Sequence, residues 1–562
     1  MKDLERFTLK ALIDRTCKAY GKRPALSWVD DEPITYNELR ERIDEVVGLM
    51  RENGIEKGDK VAILSQNMPQ WGVAYLAITS MGAVVVPILV DFHINEILHI
   101  IRHSGSKMVF VSSLQYEKIG YSDLDPMPQL VLLDSFEPIQ DPLSQDKVKS
   151  LIQMGKKQFS ILRGKALKAV GLIDSDPQEN DLAAIVYTSG TTGNTKGVML
   201  SHKNLVYDAH ITMGIQKVDE NDRLLSVLPL PHTYECTIGF IIPMMQGSCV
   251  YYLDKPPTAR VLIPAMQKIR PTMMLTVPLI IEKIFKIQIY PQLNSNMLMR
   301  KMYKIPPLRK MLHKVAGKKL MKTFGGALHF FGIGGALLSE EVERFLYEAN
   351  FPYAIGYGLT ETSPLIAGCT PAVVKFRSTG VILDTLQVRI DNPHPKTGVG
   401  EIQVKGDTVM MGYYKDKVRT EEAFTEDGFF RTGDLGRMKR GYLYIKGRSK
   451  NVIVAATGEN IYPEDLEARL NDDEGVLESL VYQSNGKIIG RVFLNAEILD
   501  AQYHLNKMGT KQAERFISKY LENLRGHINH NVASFSRINN LIQQIEPFEK
   551  TPTQKIKRFL YQ

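Results

Sequence analysis

The side chains best suited to handling a phosphorylated ligand fall in a few short segments. Tyr187-Thr188-Ser189-Gly190-Thr191-Thr192-Gly193-Asn194-Thr195-Lys196-Gly197 follows the apolar run Ala183 to Val186. Its glycines permit positive φ and close approach, and its hydroxyls, backbone N–H groups and the Lys196 ammonium together make a phosphate cradle. The Walker pattern places Gly before its Lys and Ser/Thr after it, whereas Thr195 and Gly197 flank Lys196 here, so a kinase or motor of that class is disfavoured. Read alone, the stretch also suits a flexible turn. Gly356-Tyr357-Gly358-Leu359-Thr360-Glu361-Thr362 brings an aromatic face, a hydroxyl and a carboxylate within a few residues. Arg431-Thr432-Gly433-Asp434 offers a carboxylate able to accept two donors, or an ordinary Asx-turn. Gly332-Ile333-Gly334-Gly335-Ala336 supplies small residues suited to a flat ligand or to tight packing.

Taken together, these segments resemble the acyl-adenylate-forming superfamily of acyl-CoA synthetases, adenylation domains and luciferase-like enzymes, over nearly the whole chain. The long-chain fatty acyl-CoA synthetase branch is the most similar, through Leu228-Pro229-Leu230-Pro231-His232-Thr233-Tyr234-Glu235 and Thr551-Pro552-Thr553-Gln554-Lys555. The resemblance implies that Thr188, Ser189, Gly190, Thr191, Thr192, Gly193 and Lys196 hold ATP phosphates. It implies that Gly334, Gly335 and Ala336 wall the adenine and acyl pocket, that Tyr357 beside Gly358 stacks on adenine, and that Thr360 contacts the α-phosphate. Glu361 would hold Mg²⁺, a hard cation that completes its shell with phosphate and water. Asp434 and Arg448 would bind ribose, Lys450 would be the hinge, and Lys555 would serve the adenylation step. His232 and Tyr234 would gate and line the acyl path, and Gly458 would face the pantetheine of CoA. Glu235 is ambiguous, because amino-acid-activating members use a nearby acid to hold an ammonium group. Asn451 stands where many members carry an acid, and Gln554 where many carry glycine. Without the resemblance, His232 reads as a partly buried histidine and Lys555 as part of a basic tail with Lys550, Lys557 and Arg558.

The elements that must position these residues follow from periodicity. Thr35-Tyr36-Asn37-Glu38 has capping-box spacing, with Leu39, Ile43, Val46, Val47 and Met50 behind it at helical intervals. Short apolar runs at Val61 to Leu64, Ala83 to Val86, Leu130 to Leu133, Ala183 to Tyr187, Arg223 to Leu228 and Met273 to Val277 alternate with helical patterns. That alternation predicts parallel α/β layers. After about Thr385, the short runs Gln387 to Ile390, Gly400 to Val404, Gly428 to Arg431 and Gly441 to Ile445 predict a small antiparallel sheet. A last block begins near Arg448, with a helix at Pro463 to Leu470, strands at Leu480 to Tyr482 and Ile488 to Leu494, and a long helix around Lys511 to Leu524. The fold class is therefore α/β. A large, multi-subdomain adenylate-forming N-terminal domain with mixed sheets spans 1–447, and a small mobile α+β C-terminal domain spans 448–562.

The 562 residues are 44% apolar and 23% charged, the balance of a globular protein rather than a disordered chain. The four cysteines show neither Cys-x-x-Cys pairing nor metal-ligand spacing. No secretory signal is visible at Met1 to Arg6, so a cytoplasmic setting is expected, peripheral at the inner membrane face where a membrane is engaged. Net charge is +8, and the stretch from Lys283 to Lys322 holds eleven Lys/Arg with no Asp/Glu. Methionine, leucine and isoleucine interleave with that charge, which suits an interfacial segment on an anionic membrane as well as it suits a solvated basic face. Nucleic acid is disfavoured, since no recognition motif accompanies the patch.

The reaction implied is ATP-dependent activation of a long-chain fatty acid to acyl-AMP, then transfer to CoA with release of AMP and pyrophosphate. A rival within the same chemistry delivers the acyl group to acyl carrier protein, which the basic 283–322 face could dock. A nucleotide-binding scaffold without catalysis is the alternative from another class.

Overall fold

The computed structural model describes residues 4–120, 124–139, 176–189, 195–293, 295–454, 460–551 and 555–562. Two mostly parallel sheets form its larger part. In the first, the strands run in the order Tyr353–Ile355, Phe330–Ile333, Met273–Thr276, Arg223–Ser226, Cys249–Tyr252, Pro24–Trp28 and Ile34–Thr35, all parallel except the last pair. In the second, Leu182–Ser189, Val84–Ile88, Lys60–Leu64, Met108–Val111 and Gln129–Leu132 are parallel, with antiparallel strands at both edges. Their strands are buried almost throughout, as expected of parallel strands covered on both faces. The capping box at Thr35 and Glu38 is formed and opens the helix Tyr36–Glu52.

A third, wholly antiparallel sheet has the order Tyr357–Gly358, Leu365–Gly368, Val381–Ile382, Tyr442–Arg448, Phe430–Lys439, Gly400–Lys405 and Gln387–Asp391. It departs from the sequence expectation at two points. The strand expected at Gly428 to Arg431 runs on to Lys439, so Thr432-Gly433-Asp434 lies in a strand rather than in an isolated turn. The chain also passes from the first sheet to this one within two residues, since Ile355 ends a parallel strand and Tyr357 begins the antiparallel edge. Gly358 is obligatory there, because a Cβ would lie 1.9 Å from the Pro364 carbonyl oxygen.

After Arg448 come a two-stranded ribbon of Ile453–Val454 with Asn460–Ile461, the helix Pro463–Asn471, and a three-stranded sheet of Val476–Ser484, Lys487–Leu494 and Asn540–Gln544. The helix Thr510–His530 packs on this sheet, burying Leu521, Leu524 and Ile528 against Leu470, Val481 and Val492. That hydrophobic cluster draws only on residues beyond 452.

The Lys283 to Lys322 stretch is not one continuous amphipathic segment. It breaks into Phe285–Ile289, Tyr290–Leu293, Met297–Tyr303 and Pro306–Thr323, with prolines at the start of the last helix, where a missing N–H costs nothing. Lys286 and Arg309 are turned inward, Arg309 onto Glu348 and Lys286 onto the backbone of the C-terminal block. Among the described residues no helix is long and apolar enough to cross a membrane.

Candidate active site

The Gly/Thr-rich segment joins two paired strands. Leu182–Ser189 and Thr195–Ser201 pair antiparallel, with Thr188 opposite Lys196 and Ser189 opposite Thr195. The first strand thus continues past Tyr187, where a loop was expected. The joining residues, with Gly190, Thr191, Thr192 and Gly193, lie outside the described residues, as does the Ser189 side chain. At the base of the hairpin the Thr188 and Thr195 hydroxyls are buried without a hydrogen-bond partner among the described residues. Buried polar groups are nearly always satisfied; Thr188 shares the Lys196 face of the hairpin and is the idle hydroxyl on the side of that ammonium, whereas Thr195 points to the other face.

The register turns Lys196 towards Glu361. Its ammonium lies 2.7 Å from Glu361 Oε1, donates to the Tyr413 hydroxyl at 2.6 Å, and sits 4.2 Å from that ring's centre. The Tyr413 hydroxyl in turn donates to Glu361 Oε1 at 2.9 Å. Burial alone would raise the Glu361 pKa, but the Lys196 ammonium and its hydrogen bond outweigh burial and hold the carboxyl below its ordinary value. Both neighbours use Oε1. A backbone N–H also supports the carboxylate, which is buried, ionised and of the hard oxygen type that magnesium prefers. Thr360 opens the single 3₁₀ turn Thr360–Thr362 and is half-buried beside Glu361.

Asp434 and Arg448 are cross-strand partners in the antiparallel sheet, which brings Arg448 Nε within 2.9 Å of Asp434 Oδ1. The Tyr357 hydroxyl donates to Asp434 Oδ2 at 2.9 Å. Burial pushes the Asp434 pKa up, and the Arg448 guanidinium opposes the rise. Tyr357 and Asp434, 77 positions apart in the chain, share this sheet, so its register holds a flat ring and a carboxylate side by side.

Lys555 approaches the same cleft from the far end of the chain. A turn closes it, with Thr551 N–H donating to the Lys555 carbonyl at 2.7 Å. The side chain borders the cleft and stays open to it, yet the protein around the ammonium is dense enough to lower its pKa. The Arg448 charge lowers it further, while Asp434 and Glu361 counter. Lys557 and Arg558, the competing cations of the tail, are engaged elsewhere. Arg558 clasps Glu467 with contacts of 2.6 and 2.5 Å, and Lys557 lies 3.8 Å from Glu549.

His232 is half-buried, and burial together with Lys555 pushes it down to about 4, so it is a neutral imidazole at pH 7. Two residues on begins a π-helical stretch, Tyr234–Ile241, of the wide-turned kind often found at functional sites. The Tyr234 ring packs on the backbone of Gly332 and Gly334, where added Cβ atoms would come within 3.0 and 3.1 Å of it. Gly335 has φ +87° and Ala336 follows it. Tyr234, Ile238, Ile242, Leu275, Phe330 and Leu365 line an apolar cavity that also borders Gly332 and Gly356. Glu235 faces the core. The Ser226 hydroxyl donates to its Oε1 at 2.6 Å, its Oε2 has no partner among the described residues, and burial raises it to about 8. A carboxyl that is mostly protonated at pH 7 and sealed behind Ser226 is unsuited to holding an ammonium group. Lys450 is exposed in the short turn Ser449–Asn451, directly after the last strand of the antiparallel sheet. Gly458 lies outside the described residues.

Sequence reasoning missed Tyr413. It reaches the site because Gly412–Tyr413 adds to the edge of the hairpin, pairing with Met199 and Val198. Nothing in its neighbours signals that placement.

A hairpin of hydroxyls and lysine, a buried carboxylate on that lysine, and a second carboxylate under an arginine beside a tyrosine define a nucleotide-handling α/β enzyme with an adjoining apolar cavity. The chain belongs to the AMP-binding enzyme family, whose model matches residues 13–414, and it is an adenylate-forming ligase. It is 27% identical over 520 residues to the long-chain-fatty-acid–CoA ligase heimdall of Drosophila melanogaster, covering 86% of this chain and 74% of that one. It is 26% identical over 556 residues to the chloroplastic long-chain-fatty-acid–[acyl-carrier-protein] ligase AEE15 of Arabidopsis thaliana, covering 85% and 75%. The ATP-bound RpMatB-BxBclM chimera B1 shares the fold, with a TM-score of 0.77 at 22% identity over 99% of this chain and 98% of that one.

Proposed function

We propose that this chain activates a long-chain fatty acid with ATP and magnesium to an acyl-adenylate, then transfers the acyl group to CoA, releasing AMP and pyrophosphate. The observation that carries the reading is that Lys196 pairs with Glu361, Arg448 pairs with Asp434, and Lys555 lies within reach of the charges of Arg448, Asp434 and Glu361, although the five are spread over 360 residues of sequence. A carboxylate resists attack by a thiolate because of its charge and resonance, so it needs a better leaving group, and AMP provides one. The acid's oxygen attacks the α-phosphorus, the bond to the β-phosphate oxygen breaks, and pyrophosphate leaves. Lys196, Lys555 and the hairpin donors offset the meeting of two anions, and removal of one such preorganised donor typically costs about 3 kcal/mol. Magnesium held by Glu361 would neutralise further phosphate charge, and Thr360 would contact the α-phosphate. Asp434 and Arg448 would hold ribose and Tyr357 the adenine, so that the α-phosphate is presented in line.

The chain divides in this proposal at 447/448. The 448–562 unit presents Lys555 for adenylation and then swings about Lys450 so that CoA reaches the same carbonyl, with Gly458 along the pantetheine path. Replacing Lys450 with Pro should then stall the enzyme after adenylation. His232, neutral at pH 7, would gate the acyl path without binding the carboxylate as a cation. The relatives' names support a long acyl chain, whose first carbons the apolar cavity beside Tyr234 would receive. One of those relatives is named for acyl carrier protein, which makes that acceptor the second reading.

The test is product analysis with acids from short to long chain, with CoA or acyl carrier protein as acceptor. AMP and pyrophosphate with a long-chain preference are expected. Labelled ATP that yields only ADP, with no acyl nucleotide for any acid, would overturn the reading.

A further inference from the structure

The helix Pro306–Thr323 carries lysines at 310, 314, 318 and 322, one every fourth residue, so that they form a column on one face. All four are exposed, and none is paired with a carboxylate among the described residues. Met311 and Val315 lie beside the column, also exposed, while the opposite side of the helix buries His313, Gly317 and Leu320. The preceding helix Met297–Tyr303 packs on this one and buries none of its residues. Among the described residues, five large apolar side chains are at least 65% exposed, and three of them, Met297, Leu298 and Val315, stand on these two helices. Exposed apolar side chains usually stand singly, so such a cluster inside a field of unpaired lysines calls for a partner.

We propose that these two helices seat the protein on an anionic lipid bilayer. The charge is of one sign, with no acid from Lys283 to Lys322. Lysine stems are long enough to leave their ammonium groups at the phosphates while methionine, leucine and valine tips enter the acyl boundary. An acidic protein would answer the lysines but not the exposed Met297, Leu298 and Val315 tips among them. The face offers a column of point charges with exposed apolar tips, which matches a fluid anionic surface. The inference is independent of the ligase reading, because lipid binding requires neither ATP nor acid.

The test is co-sedimentation of the full chain with vesicles of phosphatidylcholine alone or mixed with phosphatidylglycerol, at low and high salt. Binding to the mixed vesicles, weakened by salt, is expected. Lys310→Glu with Lys314→Glu and Lys318→Glu should weaken partition by at least about 100-fold. Met297→Ser with Leu298→Ser should weaken it by about 10-fold while leaving the salt dependence in place. All five positions are exposed, so thermal melting and activity on a soluble short acid should stay at wild-type level. No binding to mixed vesicles at low salt, or binding that is indifferent to the lysine reversals, overturns the proposal. So does binding of acyl carrier protein but not vesicles, lost in the same variants.

Discussion

Lys286→Met tests the proposed alternation at the contact between the two parts of the chain. Lys286 donates to the Asn471 carbonyl and, at 3.2 Å, to the Val476 carbonyl. Asn471 ends the helix Pro463–Asn471, so the ammonium caps carbonyls with no partner inside the helix and opposes the negative end of its dipole. Beside it, the Ser339 hydroxyl donates to Asp472 at 2.9 Å, and Glu282 accepts from Ser339 N–H at 2.7 Å. A hydrogen bond from a charged donor contributes about 1.5–3 kcal/mol. Counting the closer contact fully and discounting the longer one gives about 2–3 kcal/mol, a factor of roughly 30 to 150 in the ratio of docked to undocked arrangements. Methionine keeps the stem's packing and removes the charge. ATP–pyrophosphate exchange should fall by about 10-fold or more, while thioester formation from supplied acyl-adenylate stays at or above wild-type rate. Lys283→Met, at an exposed site one helical turn away, is the control and should change neither. The loss should be partly reversed by acidification from about pH 8 to about pH 6. Burial first and Asp472 second raise Glu341 to about 7, so its protonation there relieves the repulsion left uncompensated by the missing cation. Exchange within about 2-fold of wild type, or an equal fall in both half-reactions, would refute the reasoning.

Three other outcomes are expected. Lys555→Ala should cut adenylation by at least about 100-fold and spare thioester formation from supplied adenylate, measured as separate half-reactions. Tyr413→Phe removes the hydroxyl shared by Lys196 and Glu361 and should lower adenylation by about 10-fold with little change in melting temperature, read by exchange kinetics and thermal melting. His202 is fully buried, is held by burial at about 4, and accepts from Leu9 N–H at 3.3 Å. Its ordinary value is near 6.5, so the unfolded chain takes a proton first as pH falls, and stability drops between about 6.5 and 4 by on the order of 3 kcal/mol. His202→Gln should flatten that acid limb in urea unfolding; an unchanged slope would remove His202 from the account.

The sequence made legible the residues whose partners are local or whose elements are periodic. The parallel strands came from continuous apolar runs, and the helix at Tyr36 from its capping box. An antiparallel sheet was expected through Gly428 to Arg431 and Gly441 to Ile445, short of both Asp434 and Arg448. Their direct opposition was not, because the first strand runs five residues beyond the pairing Asp434 makes, and only the register fixes who faces whom. Tyr413 and Lys286 were beyond reach for a different reason. Each meets its partners only after long chain excursions, 217 residues from Lys196 to Tyr413 and 185 from Lys286 to Asn471, and neither sits in a patterned motif. The basic stretch was visible as charge, but its inward-turned Lys286 and Arg309 could be told from its outward column only once the helices were placed.

The clasp of Arg558 on Glu467 gives the carboxyl-terminal tail a fixed length of arm. Only two residues, Ile556 and Lys557, separate that anchor from Lys555, and an extended residue spans about 3.3 Å, so one inserted residue would carry the ammonium a full hydrogen-bond length off target. The tail works as a ruler: extra cations within it would matter little, and a changed count of residues would matter a great deal.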